Sequence, residues 1–395
     1  MDQDDAPIRP IAIYLPQFHP IPENDAWWGK GFTEWRNVAK ARPLFSGHYQ
    51  PHLPADLGFY DLRLPEIREE QARLARDHGI HGFCYYHYWF DGKRLLDRPF
   101  QEVFESGSPD FPFMLAWANE NWTRAWSGDE REVLIAQNYG PEDHRAHVRS
   151  LIPYFKDPRY IRVGDKPVFA IYRDDHVDDL REMVRIFREE ARAHDLELYL
   201  CRFDLRFGTH LGPPEDHGLD AAIDFQPLSK YFLDYLRDRN RSLGAKMRNV
   251  VRKTLHRLVE TFPILARTPA RNALDRRFDM EDFVAYDIAR TPETYTQFPG
   301  VSPMWDNAAR RTAGGATIFV NSSPELFGRW VDHKVAGFDP PSAEENFLFV
   351  NAWNEWAEGN HLEPCAKYED RFLKAFAKGF ASGLEKWRAR RGDGS

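Results

Sequence analysis

Short apolar segments alternate with amphipathic segments along the 395-residue chain, and this alternation restricts the fold more than any other feature. The apolar segments are four or five residues long, as buried strands are, and span residues 11–15, 82–86, 113–116, 167–171, 197–201, 221–224, 300–304 and 347–350. Helical spacing marks residues 66–78, 144–155, 178–194, 280–289, 324–335 and 368–388. Strands that alternate with helices form a parallel sheet covered by helices.

The number of strand candidates distinguishes between the two common parallel architectures. Eight candidates favour a closed (β/α)8 TIM-like barrel with long βα loops over an open doubly wound sheet. Neither a GxGxxG nor a GxxxxGK[ST] pattern follows an early strand, so dinucleotide-binding and P-loop proteins lack support. We predict one α/β barrel domain over residues 11–388, a flexible N-terminus over residues 1–10 and a tail over residues 389–395.

Two stretches depart from the alternation. Residues 29–64 are irregular and rich in Gly, Pro and His, and we expect them to cover one barrel mouth. Residues 228–279 form a predicted basic helical insertion, in which residues 237–277 carry twelve Lys and Arg against three acidic residues. This segment is either a solvated helical excursion or a surface that docks on an anionic membrane or a lipid-linked glycan.

Composition limits the class of protein. The chain has 42% hydrophobic and 29% charged residues, as soluble globular proteins do, and no apolar run long enough to span a membrane. Its net charge of −8 argues against a nucleic-acid partner. Residues 1–10 lack the features of a secretory signal, so we expect a cytoplasmic protein, peripheral at the inner membrane if the basic segment binds there.

Metal and disulfide chemistry have little support in the sequence. The three cysteines lie far apart with no CxxC pair, which argues against a disulfide framework and a thiolate zinc site. The pairs His48/His52 and His144/His147 have no carboxylate partner at a useful spacing. No metal and no cofactor are expected.

The segment after the last strand candidate carries the clearest chemistry. Glu355 and Glu358 are three residues apart, and a chain turn there would face both into one pocket. Two carboxyl groups about 5–9 Å apart in unlike surroundings cleave glycosidic bonds. One must stay protonated, and burial beside Trp353 or Trp356 raises a carboxyl pKa. The alternative is a capped turn with solvated glutamates.

Further polar and aromatic residues follow the other predicted strands. Asn and Glu beside Trp suit sugars, which present hydroxyl edges and C–H faces. Glu120 is also a rival catalytic carboxylate, or it orients a neighbouring Arg or Asn, and His87 fits a structural role equally well. The candidate substrate-binding residues are Tyr14, Gln17, Glu34, His87, Trp117, Asn119, Glu120, Asn121, Trp122, Asn354 and Trp356.

Four motifs together resemble the WbsX-like proteins, described as glycosyltransferases or as glycoside hydrolase family 99-like domains. They are the Tyr-Leu-Pro-Gln-Phe-His run at residues 14–19 and the tryptophan-rich stretches at residues 27–35, 117–122 and 353–359. The resemblance extends from about residue 11 to residue 380. It implies a (β/α)8 barrel and an association with O-antigen (lipopolysaccharide) and other bacterial surface polysaccharide loci.

Residues 353–359 are similar to the Trp-Asn-Glu-Trp-x-Glu-Gly motif of family 99, which contains retaining endo-α-mannosidases and endo-α-mannanases. The similarity implies that Glu355 is the base on the sugar 2-hydroxyl, by way of a 1,2-anhydro sugar, and that Glu358 is the general acid/base. The first strand departs from family 99, because Gln17 and His19 replace its aromatic-Pro-Trp motif. Sugar identity and linkage therefore do not carry over.

These observations favour a retaining glycoside hydrolase or transglycosylase acting on a bacterial surface polysaccharide. The main alternative is a glycosyltransferase of polysaccharide biosynthesis, with Arg173, Arg206 or the basic insertion holding the donor phosphate, although no clear DxD motif is present. The third alternative is a non-catalytic glycan-binding protein.

Overall fold

Nine parallel strands form a nearly closed barrel in the described part of the chain. The structure, a computed structural model, describes residues 7–124, 129–205, 212–239, 251, 254, 275–311 and 315–392. The barrel strands are β1 (Arg9–Tyr14), β2 (Gly82–Phe90), β3 (Phe113–Trp117), β4 (Lys166–Ile171), β5 (Tyr199–Asp204), β6 (Ala221–Asp224), β7 (Gln297–Phe298), β8 (Gly300–Val301) and β9 (Phe347–Val350).

The barrel closes through the two shortest strands. β7 pairs with β6, and β8 pairs with β9. Only Pro299 separates β7 from β8, so the two short strands together take the place of one strand in an eight-stranded barrel. A Cβ at Gly300 would lie 1.8 Å from the carbonyl oxygen of Asp224, so the strands meet here only because residue 300 has no side chain. The predicted (β/α)8 barrel is confirmed.

Helices cover the outside of the barrel. The α-helices with described bounds are Pro22–Trp28, Trp35–Lys40, Pro65–Asp77, Arg98–Ser106, Pro141–Phe155, Leu180–Arg192, Tyr231–Arg239, Met280–Ala289, Pro324–Gly337 and Arg371–Arg391. The 3₁₀ turns in the described ranges are Asp174–His176, Pro214–His217, Asn307–Ala309 and Trp356–Glu358. Smaller strand pairs extend the βα loops: Trp122–Arg124 with Asp129–Ile135, Arg276–Asp279 with Thr317–Val320, and Asn354–Glu355 with Asn360–His361. Lys93–Leu95 pairs with β2, and Arg162–Val163 pairs with β4.

The element boundaries differ from the sequence predictions mainly at the ends. β1 begins at Arg9, inside the predicted flexible N-terminus, and the last helix continues to Arg391, inside the predicted tail. The stretch at residues 29–64 contains the helix Trp35–Lys40. Helix Tyr231–Arg239 lies in the predicted insertion at residues 228–279, and most of the basic segment at residues 237–277 lies outside the described residues.

Each barrel strand presents alternate residues to the interior and to the helices, because side chains in a strand alternate between faces. In β2, the odd-numbered residues contact the helices: Tyr85 packs on Phe100, and His87 contacts His147. The even-numbered Tyr86 and Tyr88 lie on the opposite face. This alternation determines which residues near the strand ends can reach a ligand.

No helix in the described ranges is long and apolar enough to cross a membrane. The three cysteines, Cys84, Cys201 and Cys365, are buried free thiols. Burial raises the pKa of the Cys84 thiol and of the Cys201 thiol, so both stay protonated and unreactive near neutral pH.

The two C-terminal helices touch through glycines, which gives a test of the packing. A Cβ at Gly379 would lie 2.2 Å from the carbonyl oxygen of Gly328, whereas a Cβ at Gly337 would meet nothing within 4 Å. We expect Gly379→Ala to lower the free energy of unfolding by about 1–3 kcal/mol, as overpacked sites do. Gly337→Ala, the control, should leave it unchanged or raise it by up to ~1 kcal/mol. Urea denaturation followed by circular dichroism measures both, and equal effects would contradict this packing.

Candidate active site

A tight hairpin after β9 brings the two predicted catalytic carboxylates to one side of the chain. Asn354–Glu355 pairs antiparallel with Asn360–His361 around the 3₁₀ turn Trp356–Glu358. The turn ends at Gly359, whose φ of 53° is left-handed and whose Cβ would lie 3.1 Å from the Cβ of Asp306. A glycine satisfies both constraints, and the resulting turn lets Glu355 and Glu358 line the same cavity.

This cavity lies at the carboxyl ends of the barrel strands and has a volume of about 280 Å³. Barrel enzymes place their active sites at this end. Aromatic, amide and carboxylate side chains share the lining, a mixture that suits a polyhydroxylated ligand. The lining includes Gln17, Asn24, Trp27, Trp28, Tyr86, Tyr88, Glu120, Asn121, Trp122, Tyr172, Phe225, Arg310, Glu355 and Glu358.

One guanidinium holds three carboxylates at the wall of the cavity. Arg310, which follows the 3₁₀ turn Asn307–Ala309, contacts Glu34 through Nε at 2.8 Å. Its Nη2 lies 2.8 Å from Oε2 of Glu355, and its Nη1 lies 2.8 Å from Oε1 of Glu358. The side chain of Glu34 is fully buried, and those of Glu355 and Glu358 are 6% and 19% exposed. Arg310 therefore fixes both candidate catalytic groups.

The cluster has three carboxyl groups and one guanidinium, and the pKa values of Glu355 and Glu358 are raised. Burial raises the pKa of Glu355 to about 8, with Glu358 and Glu34 adding to the rise and Arg310 opposing it. Burial also raises the pKa of Glu358, again against the effect of Arg310. Three ionised carboxylates beside one cation would leave an excess of negative charge in a buried site. The cluster is therefore built to hold a proton near neutral pH.

Aromatic rings form the walls around the carboxylates. Tyr86 lies 5.9 Å from Tyr172 in an edge-to-face contact, and Trp122 packs edge-on against Trp27 and Tyr88 at 5.8 and 5.3 Å. Burial and the nearby glutamates raise the pKa of Tyr86 and of Tyr88, so their hydroxyls stay neutral. Such rings offer flat faces to sugar C–H groups and hydroxyls to sugar oxygens.

Glu120 lies at the rim of the cavity. Its side chain is 47% exposed and forms a 2.6 Å ion pair with Nη1 of Arg173. Arg173 also forms two 2.7 Å hydrogen bonds with the carboxylate of Asp175. These contacts match the interpretation that Glu120 orients a neighbouring arginine better than the interpretation that it is a second acid.

The predicted site residues divide into two groups. The cavity brings together six of them: Gln17, Glu120, Asn121, Trp122, Glu355 and Glu358. The remaining seven are buried and do not line it, and their roles in substrate binding stay predictions: Tyr14, Glu34, His87, Trp117, Asn119, Asn354 and Trp356.

Tyr14, His87 and Trp117 face the helices because of strand alternation. His87 and Trp117 are register partners in β2 and β3, and both contact His147 of the helix Pro141–Phe155. Burial lowers the pKa of His87 to about 3, so its ring is neutral and shares a hydrogen bond with His147. Their neighbours Tyr86 and Tyr88 face the cavity instead.

Asn119 and Asn354 clamp neighbouring strand ends. The amide of Asn119 accepts from the backbone N–H of Arg173 and donates to its carbonyl, both at 2.7 Å. Asn354 does the same with Leu15, at 2.7 and 3.0 Å. These side chains tie the start of one βα loop to the start of the next. Their amide groups hydrogen-bond the backbone.

A buried hydrogen-bond network supports the hairpin from below. The Trp356 ring stacks on His361 at 3.8 Å and donates its indole N–H to Glu363 at 2.6 Å. Tyr14 donates to Gln71, which donates to Glu363. Burial raises the pKa of Glu363 to about 7. Tyr14 and Trp356 thus act on the site through the backbone that they position.

The sequence analysis missed the residues that complete the cavity. Arg310 lies in the loop after β8, and a lone arginine in a loop forms no recognisable sequence pattern. Tyr86 and Tyr88 lie beside His87 in one aromatic run, and strand alternation would have separated them from it. Within the described residues, no group of three or more His, Cys, Asp or Glu side chains is arranged to hold a metal ion.

Comparison with known families identifies one match over nearly the whole chain. The family model described as Glycosyltransferase WbsX matches residues 10–376. Two curated proteins, both described as uncharacterized protein WxcX, come from Xanthomonas campestris pv. campestris strains B100 and ATCC 33913. They are 41% identical over 379 and 377 residues, covering 93% of this chain and 49% of theirs. The chain therefore spans about half the length of these relatives.

Solved structures share the fold at low sequence identity. Two structures of the GH99 endo-α-mannosidase from Bacteroides thetaiotaomicron align with a TM-score of 0.55 at 13% and 12% identity. The alignments cover 98% and 97% of this chain, and 99% and 98% of theirs. A glycoside hydrolase-like protein aligns with a TM-score of 0.52 at 14% identity over 94% of both chains.

The raised pKa of Glu355 predicts a pH-dependent stability. The folded protein keeps a proton on Glu355 that the unfolded chain releases above pH 4.5, so the wild type loses stability as pH rises from 4.5 to about 8. Glu355→Gln removes this loss. We expect its free energy of unfolding, relative to wild type, to rise across that range by on the order of a few kcal/mol.

Denaturant unfolding at pH 5 and pH 8.5 measures the effect. Arg310→Gln is the matched comparison. It leaves the carboxylates without their cation, so its free energy of unfolding relative to wild type should fall as pH rises and be lowest at pH 8.5. A Glu355→Gln variant that is destabilised equally at both pH values would contradict the burial of an uncompensated carboxyl group.

Proposed function

The chain belongs to the WbsX glycosyltransferase family, and from this premise we propose that it is a carbohydrate-active enzyme acting on glycosidic bonds through Glu355 and Glu358. The observation that carries the proposal is the pair of carboxyl groups held on one guanidinium in a tyrosine-lined cavity. We assign it as a retaining glycoside hydrolase or transglycosylase. Its proposed substrate is a bacterial surface polysaccharide of the O-antigen type.

The first step forms an anhydro sugar. Glu355 removes the proton from the sugar 2-hydroxyl, and the freed oxygen attacks the anomeric carbon. Glu358 gives its proton to the glycosidic oxygen as the bond between that oxygen and the anomeric carbon breaks. The products of this step are a 1,2-anhydro sugar, a free hydroxyl on the departing chain, a protonated Glu355 and an ionised Glu358.

The second step restores the enzyme. Glu358 takes a proton from water, whose oxygen attacks the anomeric carbon, and Glu355 returns its proton to the 2-oxygen. A sugar hydroxyl in place of water would give transglycosylation. Two inversions at the anomeric carbon retain its configuration.

The bound substrate determines which carboxyl group holds the proton. A 2-hydroxyl donates a hydrogen bond and favours an ionised Glu355, whereas a glycosidic oxygen accepts one and favours a protonated Glu358. The raised pKa of both groups supports this proposal, since the free pair already holds a proton near neutral pH. Arg310 stabilises whichever group is ionised and keeps both in position.

The family description favours a glycosyltransferase as the second candidate. Such an enzyme needs a cation for the donor phosphate. Arg310 binds three carboxylates, and Arg173 binds Glu120 and Asp175. Arg206 and most of residues 237–277 lie outside the described residues. The buried carboxyl pair on Arg310 supports hydrolysis or transglycosylation as the first candidate. A non-catalytic glycan-binding protein would have no use for a buried carboxyl pair.

The proposed location is the cytoplasmic side of the inner membrane. The twelve Lys and Arg of residues 237–277 support contact with an anionic membrane or a lipid-linked glycan. A polysaccharide still attached to its lipid would be accessible there.

Substitution of the proposed acid tests the reaction. We expect Glu358→Gln to lower kcat by about 10²–10⁴-fold, the usual contribution of general acid–base catalysis. Glu120→Gln is the matched control at the rim, and it should change mainly KM. Purified protein is incubated with a panel of O-antigen polysaccharides without sugar nucleotides, and new reducing ends and product masses are followed by mass spectrometry.

Chain shortening by the wild type and Glu120→Gln but not by Glu358→Gln supports the proposal. No cleavage, with chain extension once sugar nucleotides are added, would establish the transferase instead. Equal losses of kcat in Glu120→Gln and Glu358→Gln would contradict the assignment of Glu358, rather than Glu120, as the acid.

A further inference from the structure

A second and larger cavity lies beside the first. Its volume is about 600 Å³, and Asp306 and Gly359 line it. The backbone N–H of Asp306 donates to the carbonyl oxygen of Glu358 at 2.6 Å, so this pair of loops forms the wall next to the catalytic hairpin. None of the candidate catalytic and substrate-binding residues lies in this cavity, whereas Arg277 of the basic segment at residues 237–277 does.

Two cations in this cavity lie on aromatic rings rather than on carboxylates. The Arg277 guanidinium carbon is 3.7 Å from the Phe45 ring centroid. The Lys367 ammonium is 4.4 Å from the Tyr49 centroid and 4.6 Å from that of Tyr368. In the ranges that the structure describes, neither cation has a carboxylate within ion-pair distance, in contrast to Arg310.

The acidic residue in the lining does not neutralise these cations. The Asp306 carboxylate accepts hydrogen bonds from Gln50 Nε2 at 2.7 Å and from the backbone N–H of Ala308 at 2.9 Å. His48 Nε2 lies 2.6 Å from the same carboxylate. The cavity therefore presents two available positive charges in a chain whose net charge is −8.

A buried donor in the lining also has no partner. The Trp305 side chain is 4% exposed, and its indole N–H forms no hydrogen bond within the described part of the chain. A buried donor left unpaired costs about 1–3 kcal/mol.

We propose that this second cavity binds an acidic sugar residue, with its carboxylate on Arg277 and Lys367. Two cations suit the carboxylate of a uronate. The choice of a saccharide rests on the proposed function, whereas the choice of an anion rests on this cavity alone.

A uronate fits better than a nucleoside diphosphate. Phosphate sites usually use backbone N–H groups at a helix N-terminus or a glycine-rich nest. Of the residues described as lining this cavity, none belongs to the first turn of an α-helix. Two side-chain cations without such backbone groups favour a carboxylate.

Ligand binding to the full chain tests the proposal without any turnover. The Glu358→Gln protein is titrated with glucuronate and with galacturonate by ligand-observed NMR, and glucose and galactose are the uncharged controls. We expect the uronates to bind at least tenfold more tightly than the neutral sugars. Adding Arg277→Gln and Lys367→Gln should remove that preference, and adding Lys367→Arg alone should keep it.

Absence of uronate binding, equal binding of neutral sugars, or a preference that survives the double substitution would each overturn the proposal. Binding of UDP that the double substitution abolishes, without uronate binding, would overturn it in favour of a nucleotide site. These outcomes are independent of catalysis, because failure of Glu358 as the acid would leave the titration unchanged. Arg277 and Lys367 are exposed, so their substitution does not threaten folding.

Discussion

The contact of Arg310 with three glutamates is the interaction on which the cavity depends. Glu34 comes from the loop after β1, Arg310 from the loop after β8, and Glu355 and Glu358 from the hairpin after β9. Loops far apart in the chain thus meet on one planar group, whose donors fix the directions of the carboxylates. Loss of the cation would leave buried negative charges facing one another, which is among the costliest arrangements in a protein interior.

The rest of the architecture keeps these loops in place. The amides of Asn119 and Asn354 hydrogen-bond the backbones of Arg173 and Leu15. The hydrogen-bond network around Glu363 supports the hairpin. These polar groups are buried where water cannot replace a lost partner, so each hydrogen bond also excludes alternative loop conformations. Rigid elements around a pair of buried carboxyl groups keep that pair in one arrangement.

The barrel could be predicted from the sequence because its signal is repeated: strands and helices alternate around the whole domain. The carboxylate pair could also be placed, since it directly follows the last strand. Arg310 could not, because a lone arginine in a loop has no pattern until the loops pack together. His87 and Trp117 were assigned to the cavity from their position at strand ends, but the face of the strand, rather than the position along it, decides what a side chain touches.

The alternation in β2 separates two structural roles. Tyr86 and Tyr88 shape the cavity, while Tyr85 and His87 hold the helices against the barrel, although all four are consecutive along the chain. Substitutions at the even positions can alter the ligand without loosening the helical layer. The shape of the cavity and the attachment of the helices therefore depend on different residues of the same strand, even where those residues are adjacent.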